Sequence, residues 1–175
     1  MKRLFSFLLL LSLLTSCQND ISGRYKAINP SQGFIREEIY IDWKGEITGN
    51  KLFVRDVYGK SVEYYANHSW KNPQSVRCDF VYKISMVGAL EKKGDKYVAS
   101  NFMADVNIDK SQFSTKEIWG RQQKTDKELI EYYEKKYLDT IPKLDNVTFS
   151  FIIKEDKLIP VGGNEIDDYF IKLVD

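Results

Sequence analysis

The sequence VRCDFVYKISM, residues 76–86, alternates apolar and polar side chains almost without interruption. Successive side chains of an extended strand point to opposite faces, so this period of two separates an apolar face from a polar one. Val81 is the single apolar residue on the polar face. The apolar face carries Val76, Cys78, Phe80, Tyr82, Ile84 and Met86. The stretch therefore predicts a strand with one buried and one solvated face.

The same period recurs on both sides of this stretch. Ile35, Ile39 and Ile41 share a face that only Glu37 interrupts, and residues 102–108 alternate in the same way. Further β-rich runs cover residues 21–28, 51–58, 61–65, 112–120, 147–154, 157–161 and 167–174. Predicted turns separate these runs at residues 44–45, 49–50, 58–60, 93–95 and 155–156. This spacing predicts a mainly β fold, an antiparallel meander that closes into a barrel or folds as a sandwich.

One amphipathic helix interrupts the β pattern. Thr125 and Glu128 have the spacing of a capping box, in which each side chain binds the other residue's backbone amide. Pro142 ends the helical pattern. The apolar residues at helical spacing are Leu129, Ile130, Tyr133, Tyr137 and Leu138. We expect a helix over residues 126–139 whose Tyr/Leu stripe packs on the sheet.

The first seventeen residues have the organisation of a secretory signal. A basic start is followed by residues 4–14, an uncharged apolar run that is too short to span a membrane. The following Leu14-Thr15-Ser16-Cys17 resembles the lipobox of bacterial lipoproteins. That resemblance implies cleavage between Ser16 and Cys17 and attachment of lipid to the Cys17 thiol.

The resemblance divides the chain into three parts. Residues 1–16 form the signal peptide, residues 17–20 a lipid-anchored tether and residues 21–175 a single β-rich domain. The domain is then held to a membrane of the bacterial cell envelope by its N-terminal lipid. Gln18 occupies the position where an Asp retains lipoproteins of the enterobacterial type in the inner membrane, so the resemblance favours the outer membrane.

The predicted architecture also resembles the calycin-like barrels, which include the lipocalins. Gly23-Arg24-Tyr25 opens the first predicted strand, where lipocalins have Gly-x-Trp, so Tyr replaces Trp. This resemblance implies a barrel, and one function that it suggests is the transport of an apolar small ligand inside it.

The composition excludes several classes of function. The chain has 175 residues and a formal net charge of +1, which is not typical of a nucleic-acid-binding protein. One His and two Cys are too few for a His/Cys-rich metal site, and we expect no cofactor. Once Cys17 is lipidated, Cys78 is the last thiol, so no intramolecular disulfide can form. The sequence contains no nucleophile elbow or metalloprotease helix motif.

Aromatic residues form the best candidate site. Phe, Trp and Tyr make up 14% of the chain. Tyr64, Tyr65 and Trp70 surround His68, the only imidazole, in a segment typical of a loop. Tyr and Trp combine an apolar body with a polar tip, which suits a recognition surface.

Three functions remain open. The leading hypothesis is a non-catalytic binding module for a protein partner, of the inhibitor or immunity type. The first alternative is a carrier of an apolar small ligand. The second is an envelope hydrolase that uses carboxylates such as Glu37-Glu38 and Asp167-Asp168. Neighbouring residues of a strand face opposite sides, so neither pair forms a catalytic dyad by itself.

Overall fold

The computed structural model describes residues 20–68, 71, 73–144, 146–162 and 168–174. The predicted signal peptide, its cleavage site and Cys17 lie outside these residues. Nine strands, one α-helix (α1) and a single 3-10 turn at Lys110–Gln112 occur in the described part of the chain. The strands are β1 (Gly23–Ala27), β2 (Arg36–Asp42), β3 (Leu52–Asn67), β4 (Gln74–Lys93), β5 (Lys96–Ile108), β6 (Ser114–Trp119), β7 (Phe149–Lys154), β8 (Lys157–Pro160) and β9 (Phe170–Lys172), and α1 spans Asp126–Thr140 between β6 and β7.

Eight of these strands form a closed antiparallel barrel. The strands β1 to β5 pair in chain order, β5 then pairs with β7, and β7, β8 and β9 again pair in chain order. The barrel closes where β9 pairs with β1. The predicted meander is therefore confirmed, and it closes as a barrel rather than folding as a sandwich. The remaining strand, β6, pairs with β4 outside the barrel.

Aromatic side chains fill the barrel interior. Phe53 lies at the centre, with the rings of Phe102, Phe149 and Phe151 within 6 Å of its own. Tyr97 stacks on Phe151 with ring centroids 5.4 Å apart. The core also contains Ile21, Tyr25, Ala27, Ile39, Ile41, Leu90, Ala99, Leu158 and Phe170. Because these buried side chains pack against one another, the interior formed by the described strands is a close-packed core.

The strands β3 and β4 continue beyond the barrel as a hairpin. Residues 59–67 of β3 pair with residues 74–82 of β4, and β6 pairs with residues 75–79 of β4. We call this three-stranded unit the projecting ribbon. Helix α1 covers its inner face and forms a second core with Val76, Cys78, Phe80, Ile108, Leu129, Ile130 and Tyr133.

The predicted helix is confirmed. It begins after Thr125, whose hydroxyl accepts from the Glu128 amide at 3.3 Å, while Glu128 accepts from the Thr125 amide at 2.8 Å. Leu129, Ile130 and Tyr133 are buried against the ribbon. Leu138 was expected to join them but is 41% exposed, whereas its neighbour Tyr137 contacts the rings of Phe80 and Tyr82. No helix in the described part of the chain is both long and apolar enough to cross a membrane.

The alternation predicted for residues 102–108 is also confirmed, and it ends at a bulge. After Asn101 the even-numbered residues, such as Val106 and Ile108, face inward. Before Asn101 the odd-numbered residues Tyr97 and Ala99 face inward instead. The register between β4 and β5 shifts at this point, and Asn101 has a φ of 55°. One extra residue in β5 therefore exchanges the inward and outward positions along the strand.

The predicted turn at residues 58–60 is wrong, since β3 continues through Gly59. Gly59 lies directly opposite Tyr82, and the Tyr82 ring covers the position that a side chain would occupy. An added Cβ would lie 2.3 Å from Cζ of Tyr82. The glycine therefore makes room for a cross-strand aromatic ring instead of forming a turn.

We expect Gly59→Ala to lower the free energy of unfolding by about 1–3 kcal/mol, the usual cost of overpacking. Equilibrium unfolding in urea measures this change. The same substitution in a Tyr82→Leu background should cost less, because the ring that it strikes is gone. Equal costs in the two backgrounds would show that the Tyr82 ring is not the cause.

Buried tyrosines make the fold sensitive to alkali. Burial raises the pKa of Tyr25 to about 12, and nearby Asp156 and Asp20 add to the increase. Burial likewise raises the pKa of Tyr137 to about 12. In the unfolded chain a tyrosine ionises near pH ~10, so the contribution of these groups to stability is complete below that pH. It is lost as the pH rises toward 12.

We therefore expect the stability to fall between about pH 10 and pH 12, and the slope to be smaller in Tyr25→Phe. Urea unfolding across this range measures the slope. The Tyr25 hydroxyl also donates to the Ile21 carbonyl at 2.8 Å. Tyr25→Phe should consequently lose about 1 kcal/mol at neutral pH. A variant with the slope of the parent would contradict the assignment to Tyr25.

Candidate functional site

The outer face of the projecting ribbon exposes large apolar side chains. Tyr64 from β3 and Trp119 from β6 are each 60% exposed, and Val62 and Ile118 are also exposed. Tyr64 lies opposite Arg77 of β4, and Trp119 lies opposite Ser75, two residues from Arg77 on the same face of β4. Residues paired across strands share a face, so Tyr64 and Trp119 belong to one surface. Exposed Tyr and Trp in such a group are typical of a protein-binding surface.

An ion pair lies at the centre of this surface. The Arg77 guanidinium binds Asp79 at two points, with Nη2 2.8 Å from Oδ1 and Nε 3.0 Å from Oδ2. Asp79 raises the pKa of Arg77. Both side chains are partly exposed, so the pair fixes the direction of the guanidinium but adds little to stability. The surface therefore presents a fixed polar group among apolar ones.

The residues predicted as a binding surface occupy different places. Tyr64 points outward, whereas its neighbour Tyr65 points to the inner face and packs edge-on against Tyr132 of α1 with ring centroids 5.2 Å apart. His68 directly follows β3 and is exposed. Trp70 lies outside the described residues. The structure thus assigns Tyr65 to the attachment of α1 and leaves Tyr64 available for contact.

Trp119 and Val62 were not among the predicted binding residues. The proximity of Trp119 to Tyr64 depends on the pairing of β4 with β6, which includes a register shift between Ser75 and Val76. Val62 lies two residues before Tyr64 in β3 and so shares its face. The local signal for Trp119 was an aromatic residue near the end of the β-rich run 112–120.

A second candidate site lies at the barrel end from which the ribbon projects. Glu37 is on the inward face of β2 and is 2% exposed. Its Oε1 accepts from Arg55 Nε at 2.6 Å, and its Oε2 accepts from the Ser31 hydroxyl at 2.9 Å and from the Ser31 amide at 3.2 Å. A buried carboxylate requires such partners because it has lost its hydration.

These groups line a cleft of about 260 Å³ that also contains Asp168. One member of each predicted carboxylate pair therefore reaches the same cleft. Glu38 points outward toward Arg36, with the two charged groups 3.4 Å apart, and Asp167 lies outside the described residues. Both oxygens of Glu37 accept hydrogen bonds, one from Arg55 and the other from Ser31, so this carboxylate is held in place by its partners.

The remaining thiol is a core residue. Cys78 is fully buried between the ribbon and α1, and burial raises the pKa of its thiol. A buried, protonated thiol is a poor nucleophile. Among the residues that the structure describes, no group of three His, Cys, Asp or Glu side chains is placed to hold a metal ion.

No protein-family model matches this chain, and no curated protein or solved structure is significantly similar to it.

Proposed function

We propose that this protein is a lipid-anchored lipoprotein of the bacterial envelope that acts as a non-catalytic binding module. The observation that supports this most strongly is the exposed Tyr64 and Trp119 surface on the projecting ribbon. A ribbon that extends beyond a complete barrel is not needed to close that barrel. Its apolar outer face is consistent with contact to a protein partner, such as a toxin or hydrolase that an immunity or inhibitor lipoprotein blocks.

The interior of the barrel favours this function over a carrier of apolar ligands. Phe53, Tyr97 and Phe151 occupy the space in which a ligand would lie. An apolar ligand would have to displace close-packed rings, which costs several kcal/mol per buried side chain, about 3–5 for Phe. The hydrolase alternative is favoured by the shared cleft of Glu37 and Asp168, and disfavoured by the Arg55 and Ser31 contacts that occupy Glu37.

The position of Asp20 gives the proposed anchor a direction. Lys44 Nζ lies 2.7 Å from the Asp20 carboxylate, and Lys172 Nζ donates to the Asp20 carbonyl at 3.2 Å. These contacts hold Asp20 at the barrel end where β2 ends and β3 begins, opposite the ribbon. A lipid on Cys17 would thus leave the ribbon pointing away from the membrane.

Lipidation can be tested separately from binding. Mass spectrometry of the N-terminal peptide should show Cys17 as the first residue, with a diacylglycerol on its sulfur. The Cys17→Ser protein should leave the membrane fraction. An unmodified Cys17 in the mature protein would overturn the anchor but not the binding role.

Binding can be tested by native mass spectrometry of the protein recovered from its host envelope. We expect a polypeptide bound to the parent protein and lost in the Tyr64→Glu/Trp119→Glu variant. Met103→Glu is the matched control, because Met103 is an exposed apolar residue of β5 within the barrel. Equal retention of the polypeptide by both variants would overturn the proposed surface.

A further inference from the structure

The projecting ribbon has an unpaired edge. Among the described residues, β3 pairs with β2 only as far as Tyr58, and residues 59–66 pair with β4 alone. The pairing with β4 continues to Asn67 without a register shift. Natural proteins usually shield an edge of this length with proline, a bulge or several charges. Here Lys60 is the only lysine on the edge segment, which has no proline.

The backbone polar groups on this edge can be assigned. The Leu90 amide donates to the Lys51 carbonyl at 3.2 Å, so odd-numbered residues of β3 turn their backbone groups toward β4. Backbone groups alternate sides along an antiparallel strand. The even-numbered residues therefore present N–H and C=O to the free edge, and these are Lys60, Val62, Tyr64 and Ala66.

The position of β2 indicates how a peptide segment would run if it paired with the free edge of β3. It occupies the same side of β3 from Leu52 to Tyr58 and runs antiparallel to β3. The segment that leads into β2 first contacts β3 at Ile35, whose amide donates to the Tyr58 carbonyl at 2.8 Å. A segment added antiparallel to residues 60–66 would run in line with β2, and its C-terminal end would meet Ile35 and Arg36.

Cations surround that meeting point. The Arg36 guanidinium lies on the Tyr58 ring at 3.7 Å, and Lys60 is exposed two residues further along β3. Arg36 and Tyr58 also line an adjoining groove of about 800 Å³ that includes Lys83 and Lys110. The nearby acids are engaged: Glu38 pairs with Arg36, Asp56 with Lys83, and Asp109 with Ser111 and Gln112. Within the described chain, Lys60 and Lys110 form no ion pair.

We propose that the free edge of β3 binds the carboxy-terminal tail of a partner protein as an added antiparallel strand, with its terminal carboxylate beside Arg36 and Lys60. This proposal rests on the proposed binding function and specifies its ligand. Backbone hydrogen bonds to the even-numbered residues supply affinity, and the two cations select a chain end over an internal segment. The exposed side chains of Val62 and Tyr64 contact alternate residues of the tail.

The test uses a displayed library of random heptapeptides with free carboxyl ends, panned against the full chain in detergent. We expect selected peptides to lose binding by about tenfold or more when their C terminus is amidated, and similarly with Arg36→Gln. Val62→Pro should abolish binding, because it removes an N–H that faces the empty edge and none that bonds to β4. Val62→Thr keeps that N–H and should retain binding.

Each contrary result has a distinct meaning. If Val62→Pro fails to fold, peptides N-methylated at alternate residues replace it, and unchanged binding by all of them overturns strand addition. Binding that is unaffected by amidation overturns carboxylate recognition. Dimerisation of the parent that Val62→Pro abolishes would assign the edge to a second copy of the chain and overturn the proposal. If no peptide is selected while Tyr64→Glu/Trp119→Glu still loses its polypeptide partner, only this inference fails; if that polypeptide is absent as well, the proposed function fails too.

Discussion

Arg55→Met is expected to lower the free energy of unfolding by about 3–5 kcal/mol, a larger loss than most single substitutions cause. The substitution preserves most of the side-chain volume but removes the charge that faces Glu37. Glu37 then remains almost fully buried, and among the described residues Ser31 is its remaining hydrogen-bond partner. An uncompensated buried carboxylate must either retain its desolvation cost or take up a proton. Urea unfolding at neutral pH measures the loss.

Two comparisons separate the effect of the unpaired Glu37 carboxylate from other effects of this substitution. The Glu37→Leu/Arg55→Met double variant should recover most of the stability, because no buried charge remains. The exposed pair Lys127 and Glu131 on α1, 3.9 Å apart, provides the second comparison. Breaking it should cost about 0–1 kcal/mol. A double variant as unstable as Arg55→Met alone would show that packing, not charge, explains the effect.

Phe80→Ala is expected to cost about 3–5 kcal/mol and to release α1 from the projecting ribbon. The Phe80 ring contacts four other aromatic rings, and those of Tyr133 and Tyr137 belong to α1. The barrel core does not include Phe80. We therefore expect loss of hydrogen-exchange protection in α1 and β6, with protection retained in β1, β2 and β9.

Phe53→Ala is the matched control, since it removes the same side chain from the centre of the barrel. It should reduce protection throughout the barrel strands. Uniform loss of protection in Phe80→Ala, equal to that in Phe53→Ala, would show that ribbon and barrel unfold as one cooperative unit. That result would contradict the division into two cores.

Local sequence patterns were sufficient to predict much of the fold. The capping box at Thr125 and the helical spacing after it are complete within one segment, so the helix was predicted to within one residue at its C-terminal end. The alternation of residues 76–86 likewise identified part of β4. The sequence predicts a turn at Gly59, which is wrong because the role of this glycine depends on Tyr82, a residue of another strand. The length of β3 and β4 beyond the barrel also depends on non-local pairing.

The candidate sites were predictable only in part. The sequence singled out Tyr64 as an aromatic recognition residue and Glu37 as a polar interruption of an apolar face. It could not place Trp119 beside Tyr64 or identify Arg55 as the partner of Glu37, because each pairing joins different strands. Adjacent residues of the same type, such as Tyr64 and Tyr65, also point to opposite faces once the strand forms.

The continuity of β3 from barrel to ribbon determines how far the protein can reach. Residues 59–67 extend the strand by roughly 30 Å at about 3.3 Å per residue. In the proposed orientation this adds to the height of the barrel above the lipid headgroups. With the proposed anchor, the tip would stand well clear of the bilayer, and a partner that lies flat in the same leaflet would be out of its reach. The proposal therefore predicts targets that are soluble proteins, or domains that project from a membrane to a similar height.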